Sequence, residues 1–100
     1  MPSMIPDQAT GSGLVARGRF YTQVNATTAN IKGSAGRLVR IIVVAGTGAV
    51  TAYDGPNGTG NVLWTKAAVT AGDIYDIDMP TTAQLSVTAA AATTVNVVWS

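Results

Sequence analysis

Residues 37–54 read RLVRIIVVAGTGAVTAYD, two runs rich in β-branched residues on either side of a Gly-Thr-Gly turn. Val and Ile favour strands, and glycines between two such runs are typical of a β-hairpin. The pattern therefore predicts strands over residues 37–45 and 49–54, joined by a hairpin turn. The alternative, a dinucleotide-binding loop at Gly46-Thr47-Gly48, is excluded because Thr51 stands in place of the third glycine and no helix can follow.

The first of these two strands is apolar on both faces. Val39, Ile41 and Val43 would line one face, and the other would carry Leu38, Ile42 and Val44. In a two-layer sandwich that second face should meet solvent, so an apolar stripe there indicates cover by another subunit or by another segment of the same chain. We expect Leu38, Ile42 and Val44 to face a partner.

Short β-type runs closed by turn residues succeed one another along the rest of the chain, about eight to twelve residues apart. The further predicted strands cover residues 20–24, 27–32, 61–66, 73–79, 83–88 and 94–99. Four alanines at 89–92 are too few to form a stable helix. The sequence thus predicts an all-β domain, a single small β-sandwich or jelly roll of about eight short antiparallel strands. It leaves the strand order open among a jelly roll, an immunoglobulin-like sandwich and a small barrel.

Residues 1–18 differ from the rest of the chain, because prolines and glycines interrupt them and their apolar residues follow no sustained periodic pattern. We predict an extended N-terminal arm over 1–18 and the β-sandwich domain over 19–100. Such an arm is either a frayed terminus or a segment that orders only when it lies across a neighbour. Its candidate anchors are Met4, Ile5, Leu14 and Val15.

Composition narrows the range of functions. Only 11% of the 100 residues are charged and the net charge is +1, so no long-range field attracts nucleic acid or anionic lipid. The absence of Cys excludes a disulfide framework. The N-terminal residues lack the basic and apolar regions of a secretion signal, and no apolar run is long enough to cross a bilayer. We expect a soluble protein made in a cytoplasm, with neither nucleic acid nor membrane as partner.

The chain contains no His, Cys or Glu, which excludes Ser-His and Cys-His catalysis. Asp76 and Asp78, two residues apart on one strand, could form a two-carboxylate site or bind a hard cation, but a solvated strand face explains them more simply. Residues 54–58 weakly resemble a calcium loop without its regular acidic spacing, and a structural turn is favoured. We predict no enzyme, no cofactor and no metal site.

Four aromatic residues leave a second class of function open. On a β-sandwich, exposed rings can stack on sugars, whereas buried rings fill the core. The four candidates are Tyr53, Trp64, Tyr75 and Trp99.

The segment from Gly36 to Trp64 resembles small virion proteins of tailed bacteriophages. The shared pattern is G-R-L and then V-x-x-x-G-x-V-T-x-Y-D-G, here residues 36–38 and 44–55. The resemblance implies a non-enzymatic capsid cement or decoration protein that binds and stabilises the head shell in many copies. It implies that the partners are the major capsid protein and copies of the chain itself, in a homo-oligomer. Its location would be the capsid surface of the virion, after synthesis in the host cytoplasm. The alternative is a small carbohydrate- or receptor-binding β module of a phage tail or head spike.

Overall fold

The computed structural model describes residues 20–100 and shows an all-β domain of eight antiparallel strands in two four-stranded sheets. This confirms the predicted fold class. The predicted arm and its anchors Met4, Ile5, Leu14 and Val15 lie outside the described residues. The strands are β1 (Phe20–Asn25), β2 (Thr28–Lys32), β3 (Gly36–Ala45), β4 (Val50–Asp54), β5 (Asn61–Lys66), β6 (Ile74–Thr81), β7 (Leu85–Ala89) and β8 (Thr94–Trp99).

The strand order is that of a jelly roll. One sheet runs β1-β8-β3-β6 and the other runs β2-β7-β4-β5. Strand β1 therefore pairs with β8, β2 with β7, β3 with β6 and β4 with β5, as in one long hairpin that has been rolled into two layers. Only the β4–β5 connection stays within a sheet, and every other connection between the described strands crosses from one layer to the other.

The prediction of a hairpin between β3 and β4 is therefore wrong. These two strands belong to different sheets, and residues 46–48 carry the chain from one layer to the other. Gly46 is required at this crossing for two reasons. Its φ of +89° lies in the left-handed region, and a side chain there would collide with the carbonyl oxygen of Ala92.

Two bulges in β3 decide which of its side chains enter the core. Leu38 and Arg40 pair with the adjacent residues Trp99 and Val98 of β8, so one extra residue, Val39, lies between them. Such an insertion reverses the alternation of faces. Leu38 consequently joins Ile41 and Val43 in the hydrophobic core.

The expectation that Leu38 faces outward is corrected by this geometry, since its side chain is fully buried. The second bulge has the opposite result for Val44, which is the extra residue between Val43 and Ala45 and is exposed. Ile42 lies between the two bulges and is half-buried. Of the three residues expected to face a partner, Ile42 and Val44 lie on the outside.

The two sides of β3 should differ sharply in unfolding experiments. We expect Leu38→Ala to lower the free energy of unfolding by about 2–5 kcal/mol, because it leaves a cavity between the sheets. Val44→Ala, the matched control, should change it by less than about 0.5 kcal/mol. Urea titrations monitored by tryptophan fluorescence measure both values. Equal losses for the two variants would contradict the inward placement of Leu38.

Candidate functional site

The outer surface of the sheet β1-β8-β3-β6 carries large apolar side chains in contact with solvent. Tyr21 is 70% exposed, Ile74 59% and Val44 46%. Ile42 and Val98 are half-buried beside them. We call this surface the apolar face and define it by Tyr21, Ile42, Val44, Ile74 and Val98. Isolated exposed apolar residues are ordinary, but several on one side of one sheet indicate an interaction surface.

The strand register brings these residues together from distant parts of the sequence. Residues directly opposite each other in antiparallel strands point to the same side of the sheet. One row across the four strands contains Gln23, Asn96, Ile42 and Ile74. The next row contains Tyr21, Val98, Arg40 and Asp76. Ile42 and Ile74 are thus direct neighbours, although they belong to different strands far apart in the chain.

Polar groups on the same surface are paired with one another. Gln23 donates from Nε2 to Oδ1 of Asn96 at 3.1 Å. Arg40 Nε lies 3.1 Å from Oδ1 of Asp76 in an exposed ion pair. Because these groups already have partners and their charges cancel, the surface has no net charge, and a partner would be held mainly by apolar burial and shape.

The outer surface of the other sheet is mostly polar, although it also exposes Val62 on its edge strand β5. One row across its four strands consists entirely of threonines, which share hydrogen bonds in two pairs. The pairs are Thr28 with Thr88, at 2.9 Å between the hydroxyls, and Thr51 with Thr65, at 2.8 Å.

A loop of the chain itself covers the next row of this second sheet. Asn57 in the β4–β5 loop exchanges two hydrogen bonds with the side chain of Asn30, at 2.8 and 2.9 Å. Gly58 N donates to Ser86 Oγ, and Ser86 Oγ donates to the carbonyl oxygen of Gly55 at 2.6 Å. Ser86 is fully buried as a result. Of the two outer surfaces, this one is partly covered by a loop within residues 20–100, whereas Tyr21, Val44 and Ile74 of the apolar face are exposed.

The Asp54 carboxylate ties this loop region to the β6–β7 turn. It accepts hydrogen bonds from the backbone N–H of Ala83 at 2.9 Å and of Thr82 at 3.0 Å, and from the Thr82 hydroxyl at 2.9 Å. The bonds from Ala83 and Thr82 hold the pKa of the Asp54 carboxyl below its usual value. The Asp54 side chain therefore links the start of residues 54–58 to the β6–β7 turn, as expected for a structural turn.

The other acidic residues of the described chain do not converge. Asp76 faces Arg40, whereas Asp78 Oδ1 lies 2.9 Å from Nη1 of Arg37. A bulge in β6 separates the two aspartates, and Asp78 has a left-handed φ of 53°. Two separate ion pairs therefore occupy the positions considered for a two-carboxylate site. Residues 20–100 contain no group of three or more acidic side chains able to hold a metal ion.

Three of the four candidate sugar-stacking aromatics pack against the hydrophobic core, namely Trp64, Tyr75 and Trp99. Trp64 and Tyr75 contact each other at 5.1 Å between ring centroids, and Tyr75 Oη donates to Asp73 Oδ2 at 2.8 Å. Trp99 Nε1 donates to Thr22 Oγ1 at 3.1 Å. Tyr53 is half-buried. The rings of Trp64, Tyr75 and Trp99 act mainly in closing the sandwich.

Sequence reasoning finds part of the apolar face and misses the rest. Ile42 and Val44 are expected to face outward from their pattern, while Tyr21, Ile74 and Val98 are not singled out by it. The alternation of Tyr21 with the buried Val24 in β1 is a local signal that could have indicated Tyr21. Ile74 has no such signal, because its place depends on the pairing of β6 with β3.

No protein-family model matches the sequence, and no curated protein or solved structure matches it at a significant level. Within residues 20–100 there is no helix with the length and apolar character needed to cross a membrane.

The Asp54 clamp makes stability depend on pH in a defined direction. A carboxyl whose pKa is lowered by folding stabilises the protein at pH values above the pKa of its unfolded state, which is near 3.8. This stabilisation is lost as pH falls through the folded pKa. We expect Asp54→Asn to lower the melting temperature at pH 7, and the melting temperatures of the variant and the unmodified protein to converge as pH falls from 3.8 through the lowered folded pKa of Asp54. Thermal unfolding by circular dichroism measures the difference. Asp76→Asn, which removes only an exposed ion pair, is the control and should change little at either pH.

Proposed function

We propose that this chain is a non-enzymatic structural protein of a tailed-phage virion, a cement or decoration protein that binds the outside of the head shell in many copies. The observation that carries the proposal is the apolar face, an exposed sheet surface without net charge. The sequence resemblance of residues 36–64 to small virion proteins supports the same conclusion. The jelly roll is compatible with it, since viral capsid domains use this architecture, although a fold alone does not decide function.

The size of the apolar face favours repeated weak contacts over one tight complex. Four strands about 4.8 Å apart, with about 3.4 Å per residue along each, give it roughly 200–400 Å². A stable pair of proteins buries about 800 Å² on each side. One copy would therefore bind weakly, whereas copies that also contact each other on a shell gain from multivalency. Capsid protein and further copies of this chain are the partners we propose.

The predicted N-terminal arm would enlarge this interface. Met4, Ile5, Leu14 and Val15 are apolar residues in a segment with little other anchoring chemistry, and a segment that orders on contact adds buried area without a larger domain. Deleting residues 1–16 and measuring co-sedimentation with capsids tests these four residues as anchors.

Copy number in the virion is the most direct test of the proposed function. We expect quantitative mass spectrometry of purified phage particles to give a count for this chain comparable with that of the major capsid protein. A handful of copies would instead place it in the tail, spike or portal region. Absence from the particles would refute the virion assignment.

Charged substitutions on the apolar face should weaken capsid binding without unfolding the domain. We expect Ile74→Asp and Val44→Asp each to reduce binding at least tenfold, because each buries an unpaired carboxylate in the interface. Co-sedimentation with capsids assembled without this chain measures the binding. Val62→Asp, at an exposed position on β5 in the other sheet, is the matched control and should bind normally. Equal binding by all three variants would exclude the apolar face from the interface.

One observation favours the carbohydrate-binding alternative. Tyr21 is a highly exposed ring on the same side of the sheet as the Gln23 and Asn96 amides, and an exposed aromatic ring can stack on a sugar. Under this alternative, glycans would shift the NMR signals of Tyr21 and its neighbours, and Tyr21→Ala would abolish the shifts. Under the structural proposal the same titration leaves the spectrum unchanged.

A further inference from the structure

The four edge strands of the sandwich differ in how their outward-directed backbone groups are protected. Proteins usually blunt exposed edges with bulges, prolines or charges, because a flat regular edge can pair with another chain. Three of the four edges here carry a bulge. The bulged positions are Ile31 in β2, Leu63 in β5 and Asp78, with Ile77, in β6. Strand β6 is protected further by Pro80, which has no N–H to donate.

Strand β1 is the exception. It pairs with β8 over six consecutive residues, from Phe20 opposite Trp99 to Asn25 opposite Thr94, without any shift of register. Its sequence, FYTQVN, contains no Pro, no Gly and no charged residue. Within residues 20–100 it has β8 as its one neighbour in the sheet. Over residues 21–25 its other edge is therefore regular, neutral and suited to strand addition.

We propose that β1 pairs antiparallel with β1 of a second copy, so that two four-stranded sheets join into one sheet of eight across a two-fold axis. Such a contact uses the same residues on both copies. Placing Thr22 opposite Thr22, or Gln23 opposite Gln23, keeps the core-facing side chains of both strands on one side. Because β1 is uncharged, no like charges meet across the axis.

The other candidate for this edge is the chain before Phe20, from either copy. Residues 1–19 contain two prolines and three glycines, and these residue types interrupt or weaken strands. Residues 20–25 contain neither type and already form a regular strand. The second copy of β1 is therefore the occupant that the strand chemistry favours.

The pairing has a consequence for the apolar face. A two-fold axis perpendicular to the sheet leaves the outer side of both copies on the same side of the joined sheet. The dimer would thus present two apolar faces side by side, with Tyr21 of each copy next to the junction. The proposal rests on strand geometry alone and holds whether or not the chain belongs to a virion.

Disulfide trapping tests the pairing, because the chain has no cysteine of its own. Opposite residues in antiparallel strands have Cα atoms about 4.5–5.5 Å apart, within the range for a disulfide. We expect full-length Gln23→Cys to cross-link with itself if Gln23 lies on the axis. If Thr22 lies there, an equimolar mixture of Tyr21→Cys and Gln23→Cys should cross-link. The control is Val62→Cys, also exposed but on the bulged edge strand β5, and it should form at least tenfold less dimer under the same oxidation.

Sedimentation equilibrium gives an independent measurement on the unmodified full chain. We expect a monomer–dimer equilibrium. Gln23→Lys should weaken dimer affinity at least tenfold, and Val62→Lys should leave it unchanged. Melting temperatures should show that both variants fold. Three results would overturn the proposal. The first is a monomer at every concentration up to about 1 mM, and the second is cross-linking through Val62→Cys as efficient as through β1. The third is a dimer that is lost when residues 1–16 are deleted and that never cross-links through β1. Ile74→Asp should leave the dimer intact, so failure of this pairing and failure of capsid binding remain distinguishable.

Discussion

Strand β3 is hydrogen-bonded to β6 on one side and to β8 on the other, so its bulge at Val39 affects how three strands meet, and a second bulge at Val44 alters its pairing with β8. The bulge at Val39 turns Leu38 into the core, and the bulge at Val44 puts that side chain outside. Between them Arg40 and Ile42 point to the outer surface and Ile41 to the core. The packing of the sandwich and the composition of its apolar face both depend on these two insertions.

The positions of the strands could be predicted from the sequence because they depend on local patterns. The eight predicted runs match the eight strands to within a few residues, since β-branched residues and turn residues alternate along the chain. The order of the strands could not be predicted in this way, because it is set by contacts between distant residues. Gly46 and Gly48 illustrate the limit, since their turn chemistry suits a hairpin and a crossing between layers equally well.

The same distinction explains how much of the candidate site the sequence reveals. Ile42 and Val44 are visible in it as excess apolar residues in one strand. The loop that covers Ser86 is not, because a serine in a strand normally indicates a wet face. Leu38 is misplaced when alternation is extended through Val39, where the backbone inserts one residue. Bulges of this kind depend on the neighbouring strands, so a single strand carries little sign of them.

Strand β8 lies in the middle of its sheet, between β1 and β3, although β4 to β7 separate it from β3 along the chain. During synthesis β1 and β3 therefore leave the ribosome long before the strand that joins them. Until residues 94–99 emerge, β1 and β3 have no strand between them. Val24, Ile41 and Val43 then lack the β8 valines that lie opposite them in the sheet. Folding of this domain is consequently a late, long-range event, in keeping with the slow closure typical of all-β topologies.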